Sequence, residues 1–172
     1  MYKDEFYLIS GDAIEKVPYT GTDTLRFLHT DSTGKADTIT YIGQGKVYDT
    51  ISIGNSQIND YCSYEKYAET YSILYKADRI GYDLKFIVEG SEGSGSLNIY
   101  LLKEELDDQF SRINRISYGG YYSELKLNSK FYYQVNLFSN RGRSKTFNLY
   151  YTVKHGITRM ELFHHEVWQL ID

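Results

Sequence analysis

The sequence predicts a mainly antiparallel β fold: a meander-type barrel or half-barrel of roughly ten strands with one short helix, a β-sandwich being the alternative. Three observations predict it. Apolar and polar side chains alternate with a period of two along many short segments. Turn-forming residues interrupt that alternation roughly every eight to twelve residues. The composition also suits strands, with 19 Tyr and 8 Phe against a single Pro. Tyr, Phe and the β-branched residues fit a pleated, half-buried surface, and the Tyr hydroxyl can reach water at a sheet edge.

The elements follow in order. Asp23 to His29 reads as a strand, Asp31-Ser32-Thr33-Gly34 as a turn, and Asp37 to Ile42 as the return. Gly43-Gln44-Gly45 breaks the chain again, and Val47 to Ile53 resumes the alternation. Tyr61 to Ala77 contains helix-favouring Glu65, Lys66, Ala68 and Glu69, yet Tyr67, Tyr71, Ile73 and Tyr75 fit a strand better. Ile80, Tyr82, Leu84, Phe86 and Val88 then alternate without a fault, so the two segments read as a long hairpin linked by Asp78-Arg79. Gly90 to Gly95 is expected to be a flexible turn, with Leu97, Ile99 and Leu101 on the returning strand.

Lys103 to Ile116 is the one stretch predicted to be helical. Leu106, Phe110 and Ile113 recur at helical spacing, and acids precede bases in the order that suits the helix dipole. The C-terminal third reads as a meander of five strands: Tyr121 to Leu127, Phe131 to Phe138, Phe147 to Val153, Ile157 to Phe163 and Val167 to Ile171.

At 172 residues the chain forces no second domain, so residues 1–172 read as a single β domain. A chain of this size buries roughly 70% of the surface it exposes unfolded and needs no metal or disulfide to hold a core. No apolar run approaches the roughly 20 residues of a membrane-spanning helix, so no transmembrane segment is expected. Net charge is −4, the wrong sign for a duplex-binding face, and nucleic acid is not expected as a partner. Cys62 is the single cysteine and makes no intrachain disulfide.

The last fifty or so residues carry a recurrent order of motifs: Leu127-Asn128-Ser129-Lys130-Phe131-Tyr132-Tyr133-Gln134-Val135, then Asn148-Leu149-Tyr150-Tyr151, then His155-Gly156-Ile157, then Val167-Trp168-Gln169-Leu170-Ile171. In this order the chain resembles the uncharacterised β-rich lipoproteins of the Bacteroidetes phylum. The resemblance covers about a third of the chain and rests on packing and turn motifs. It implies a β fold and a cell-envelope location, and no particular reaction.

Candidate sites are few. His164-His165-Glu166 is the one cluster of ligand-type side chains, but adjacent strand residues point to opposite faces and suit an exposed hairpin tip better than one metal ion. Gly43-Gln44-Gly45-Lys46 lacks the spacing and the following helix of a phosphate loop, and Gly90 to Gly95 matches neither the dinucleotide fingerprint nor a nucleophile elbow. Glu104, Glu105, Asp107 and Asp108 have no calcium-loop spacing and read as a solvated helical turn. Arg141, Arg143 and Lys145 form a small basic patch at a hairpin turn, and Cys62 reads as a core or strand residue.

The tyrosine pairs Tyr121-Tyr122, Tyr132-Tyr133 and Tyr150-Tyr151 put one ring on each face of a strand, one for the core and one free for packing or recognition.

No catalytic, cofactor-binding or metal-binding residue is therefore predicted. The expected function is a non-catalytic cell-envelope binding or structural module. Two alternatives stand: a barrel carrier of a lipid or other hydrophobic small molecule, and carbohydrate recognition by exposed Tyr. An enzyme would need titratable groups converging around His29, His155 or His164. The expected partners are a hydrophobic small molecule, a glycan or an envelope protein. The expected location is periplasmic or outer-membrane-associated after removal of a targeting segment, or cytoplasmic if Met1 is the native start.

Overall fold

The computed structural model describes residues 4–59, 62–79, 82–92, 94–103, 117–127, 129–142, 145–161 and 165–171. Its strands are β1 (Glu5–Tyr7), β2 (Thr24–Thr30), β3 (Ala36–Asn59), β4 (Cys62–Ala77), β5 (Tyr82–Ser91), β6 (Ser94–Lys103), β7 (Ser117–Leu127), β8 (Lys130–Gly142), β9 (Lys145–Thr152), β10 (Gly156–Glu161) and β11 (Val167–Ile171), with a helix α1 (Gly11–Glu15) after β1.

One sheet contains them all, in the order β6-β5-β4-β3-β2-β11-β10-β9-β8-β7, with β1 added alongside β4. The path is an up-and-down meander in which the last strand returns to pair with β2, from Trp168 opposite His29 to Ile171 opposite Arg26. Strands β6 and β7 are its two ends, and the sheet is not closed. A single sheet also disposes of the sandwich alternative.

Local chemistry sets the hairpins. Between β2 and β3, the Asp31 carboxylate accepts hydrogen bonds from the Thr33 amide, the Thr33 hydroxyl and the Lys35 amide, which fixes a tight reversal. On either side of it Leu25 and Phe27 alternate inward against Ile39 and Tyr41, as the period-two pattern requires.

The core shows that the sheet curls. Tyr19 meets Tyr75 edge-on at 5.5 Å and Phe86 at 4.7 Å, while its hydroxyl accepts the Ile157 amide N–H. Tyr75 and Phe86 lie on β4 and β5, and Ile157 on β10, well separated in the strand order. They reach one residue only because the strands wrap around the N-terminal segment. Ala13, Val17 and Tyr19 are buried in that wrap with Phe27, Tyr41, Ile73, Leu149, Met160 and Trp168.

Tyrosine hydroxyls tie the buried segment to the sheet. Tyr75 donates to the Asp23 carboxylate, and Tyr151 donates to the Lys16 carbonyl. These contacts explain why Tyr rather than Phe fills these places, since each ring supplies apolar area and a hydroxyl that pairs a backbone group or, for Tyr75, the Asp23 carboxylate. Gly156 is required at its position: its φ is +70°, and a Cβ there would fall on the Tyr19 hydroxyl. A Cβ at Gly90 would likewise fall on the Tyr7 carbonyl, so the Tyr7–Leu8 backbone lies directly on β5.

Several expectations need correction in detail. Gly43 to Gly45 does not end a strand; it is a bulge, with Gly45 at φ +102°, through which β3 continues unbroken. Gly90 to Gly95 is largely strand, with Gly90 opposite Gly95 and Ser91 opposite Ser94. The described helix is α1, which Ser10 caps by accepting the Ala13 amide. It is too short to show a helical period, so the periodicity test passed over it. The helix predicted over Lys103 to Ile116 lies outside the described residues, apart from Lys103 at the end of β6.

Candidate functional site: the open edge of the third strand

Strand β3 outruns its neighbour. On one side its pairing with β2 ends at Thr24 opposite Ile42, followed by hydrogen bonds from the Gly43 amide to the Asp23 carbonyl and from the Gly45 amide to the Gly21 carbonyl. On the other side, pairing with β4 continues from Lys46 opposite Ile73 to Asn59 opposite Cys62. Among the described residues no strand lies along the outer side of 46–59. That leaves up to about 45 Å of extended backbone with one edge unpaired.

Bulges at Gly43/Lys46 and Ser52/Gly54 bracket a regular stretch, Val47-Tyr48-Asp49-Thr50-Ile51-Ser52. Its side chains are exposed: Val47 59%, Tyr48 66% and Ile51 39%, with Ile53 at 42% just beyond. Soluble sheets usually guard a free edge with Pro, inward charges or very short strands. Residues 47–53 contain no Pro and one charge, Asp49.

The same stretch forms one wall of a groove of about 340 Å³, whose other lining includes Ile9, Ile14, Glu69 and Thr70. Ile9, in the link after β1, and Ile14 of α1 complete it. Phe6 and Tyr7 pair in parallel with Tyr67 and Ala68 of β4, and the chain then crosses toward Ser10 and α1. The Ile9 amide donates to Glu69 Oε2 at 3.0 Å, which pins the turn to the sheet. Asp49 Oδ1 accepts the amide of Thr50 at 2.8 Å. Each carboxylate thus spends one oxygen on a backbone amide, and Glu69, paired opposite Thr50, brings negative charge to the groove face. Tyr48 packs on Tyr71 with centroids 4.9 Å apart, and the Lys46 ammonium stands over the same Tyr71 ring at 5.7 Å.

A second cavity of about 390 Å³ lies between Phe6, Leu8, Ser10 and the Ser91–Glu92 corner. Phe6 stacks on Tyr67 at 5.0 Å with the planes 14° apart. Beside them Glu5 lies between the Tyr7 hydroxyl at 2.8 Å and the Lys66 ammonium at 3.2 Å. The Tyr7 hydrogen bond, then Lys66, hold the Glu5 carboxyl below its ordinary range, and the same contact with Glu5 raises Lys66.

The residues singled out by sequence are dispersed. His29 has Nε2 3.4 Å from Glu166 Oε2 and meets Trp168 edge-on at 5.3 Å. His155 sits in the turn before β10, edge-on to Tyr132 at 5.9 Å, at the far end of that strand from the Met160 that pairs with Trp168. His164, Arg143 and the acids of 104–108 lie outside the described residues.

The tyrosine pairs divide as expected at Tyr132 and Tyr133, buried and exposed, and at Tyr151 and Tyr150, buried and half-buried. Tyr121 and Tyr122 are both exposed. Sequence reading missed the open edge altogether. The signal was present in the mismatch between the short β2 alternation and the much longer alternation on either side of Gly54.

No family model matches the chain, and no curated protein or solved structure is significantly similar to it.

Proposed function

We propose that the protein is a non-catalytic binding module of the cell envelope, periplasmic or outer-membrane-associated, whose contact site is the open edge of β3 with the groove beside it. One observation carries the reading: a regular strand edge with exposed Val47, Tyr48 and Ile51 runs beside a groove that the N-terminal segment, through Ile9 and Ile14, completes. An edge of that kind is costly to keep, because it invites unwanted pairing. Use in binding accounts for its retention.

Co-sedimentation with outer-membrane fragments tests this, with a Val47→Lys/Ile51→Lys variant as the comparison. The native protein is expected to sediment with the fragments and the variant to remain in the supernatant. Native protein that stays in solution, or a variant that sediments equally, refutes the reading.

The stacked Phe6–Tyr67 pair supports carbohydrate recognition as a second reading, since the exposed Phe6 ring, held parallel to half-buried Tyr67, suits the apolar face of a sugar ring. Loss of glycan-array binding in Phe6→Ala is the expected result if that reading holds. The carrier reading draws less support, because the centre of the curled sheet is filled by Ala13, Val17 and Tyr19.

A further inference from the structure

We infer that the stretch Val47–Ser52 takes up, as an added β-strand, an extended segment of another polypeptide that carries a basic side chain toward the groove. The inference rests on the envelope-module reading above and names the class of partner that this site would hold.

The backbone supplies the first half of the recognition. An antiparallel partner alongside Val47–Ser52 would find alternate N–H and C=O groups aligned in a stretch free of bulges and of Pro, and would displace the Asp49 carboxylate from the Thr50 amide. Strand addition of this kind draws its affinity from main-chain hydrogen bonds and its specificity from pockets that receive every second side chain. The groove is such a pocket. It lies beside Tyr48 and Thr50, and at about 340 Å³ it has room for one long side chain.

Charge supplies the second half. Glu69 pairs opposite Thr50, on the same sheet face as Tyr48 and Thr50, and it retains one carboxylate oxygen beyond the one bound to the Ile9 amide. Ile9 and Ile14 give the same groove an apolar wall. A Lys or Arg fits this lining, its methylenes against the isoleucines and its cationic head at the Glu69 carboxylate. An acidic side chain would be repelled there, so the groove discriminates by sign as well as by shape. The Lys46 ammonium is drawn toward Tyr71 and away from the role of edge guard.

Fluorescence anisotropy with a labelled octapeptide, acetyl-Thr-Val-Thr-Lys-Thr-Val-Thr-Val-amide, tests the inference. The native protein is expected to bind it, with at least about tenfold weaker binding when Lys is replaced by Glu. A peptide in which two Thr are replaced by Pro, and the Val47→Lys/Ile51→Lys protein, are expected to show no saturable binding. Unchanged Trp168 emission and urea midpoint in that variant show that its fold is intact.

Equal affinity for the Pro-containing peptide overturns the inference, as does undiminished binding by the variant. Concentration-dependent dimerisation abolished by the same two substitutions also overturns it, since a second copy would then be the occupant. If the native protein sediments with envelope fragments, the variant does not, and none of the peptides binds, strand addition is wrong while the module reading stands. If the native protein neither sediments nor binds peptide, both fail.

Discussion

Replacing Gly156 by Ala tests how the N-terminal segment is held inside the sheet. Gly156 has φ +70°, where an L side chain costs about 1–2 kcal/mol. A Cβ at that point also falls on the Tyr19 hydroxyl, so the ring must move. Moving it breaks the bond from the Ile157 amide, a buried donor whose loss costs about 1–3 kcal/mol. Together these give about 2–5 kcal/mol, or a fall of roughly 4–20 °C in Tm for a chain of this size. Gly34 is the internal control: its φ is +83°, yet nothing lies within 4 Å of a Cβ there. Gly34→Ala should therefore cost only the backbone strain, about 1–2 kcal/mol. Urea unfolding followed by the emission of Trp168, the single tryptophan, measures both. If the two variants are destabilised equally, Tyr19 does not occupy the position described and the plugged interior is wrong.

Two further outcomes follow from titratable groups. Burial alone would raise the Asp23 carboxyl, but hydrogen bonds from the Tyr75 hydroxyl, Thr20 and the Gly21 amide outweigh it and hold the group below its ordinary range. A depressed folded pKa means that this contribution is present above the unfolded value near 4 and is lost as pH falls through the folded one, so Asp23→Asn should flatten stability against pH on the acid side. Urea midpoints between roughly pH 2 and 6 decide it, and an unchanged slope contradicts it.

At alkaline pH, burial raises the hydroxyls of Tyr19, Tyr41, Tyr75 and Tyr151 well above their usual value and pushes Tyr150 up to about 12. Their stabilisation is complete below the unfolded value near 10 and fades as pH rises toward the folded values, so the four should ionise only together with unfolding. A tyrosinate absorbance change that runs ahead of the Trp168 emission change, and reaches the full 19 residues while the protein is folded, would refute this.

Much of the fold was legible because period-two alternation is a local property. The strand from Val167 to Ile171, the reversal at Asp31–Gly34 and the choice of strand over helix for β4 all come from neighbouring residues. The glycines misled for a physical reason: Gly45 and Gly54 mark bulges inside β3, and a bulge and a turn share the same residue chemistry. The N-terminal segment was illegible because its role is long-range. Nothing near Tyr19 or Val17 in sequence announces that strands more than a hundred residues away will close over them. The site was hidden for the same reason, since an edge is open only by virtue of where β2 stops.

Amide hydrogen exchange along β3, read residue by residue by NMR, tests the open edge most directly. Between Val47 and Ser52, amides directed at β4 should be protected and the alternate amides directed away from it should exchange far faster, Thr50 keeping only its local bond to Asp49, giving a two-residue sawtooth of protection. Uniform protection at every one of those six positions would mean that the edge is already covered, and the proposed docking site with it.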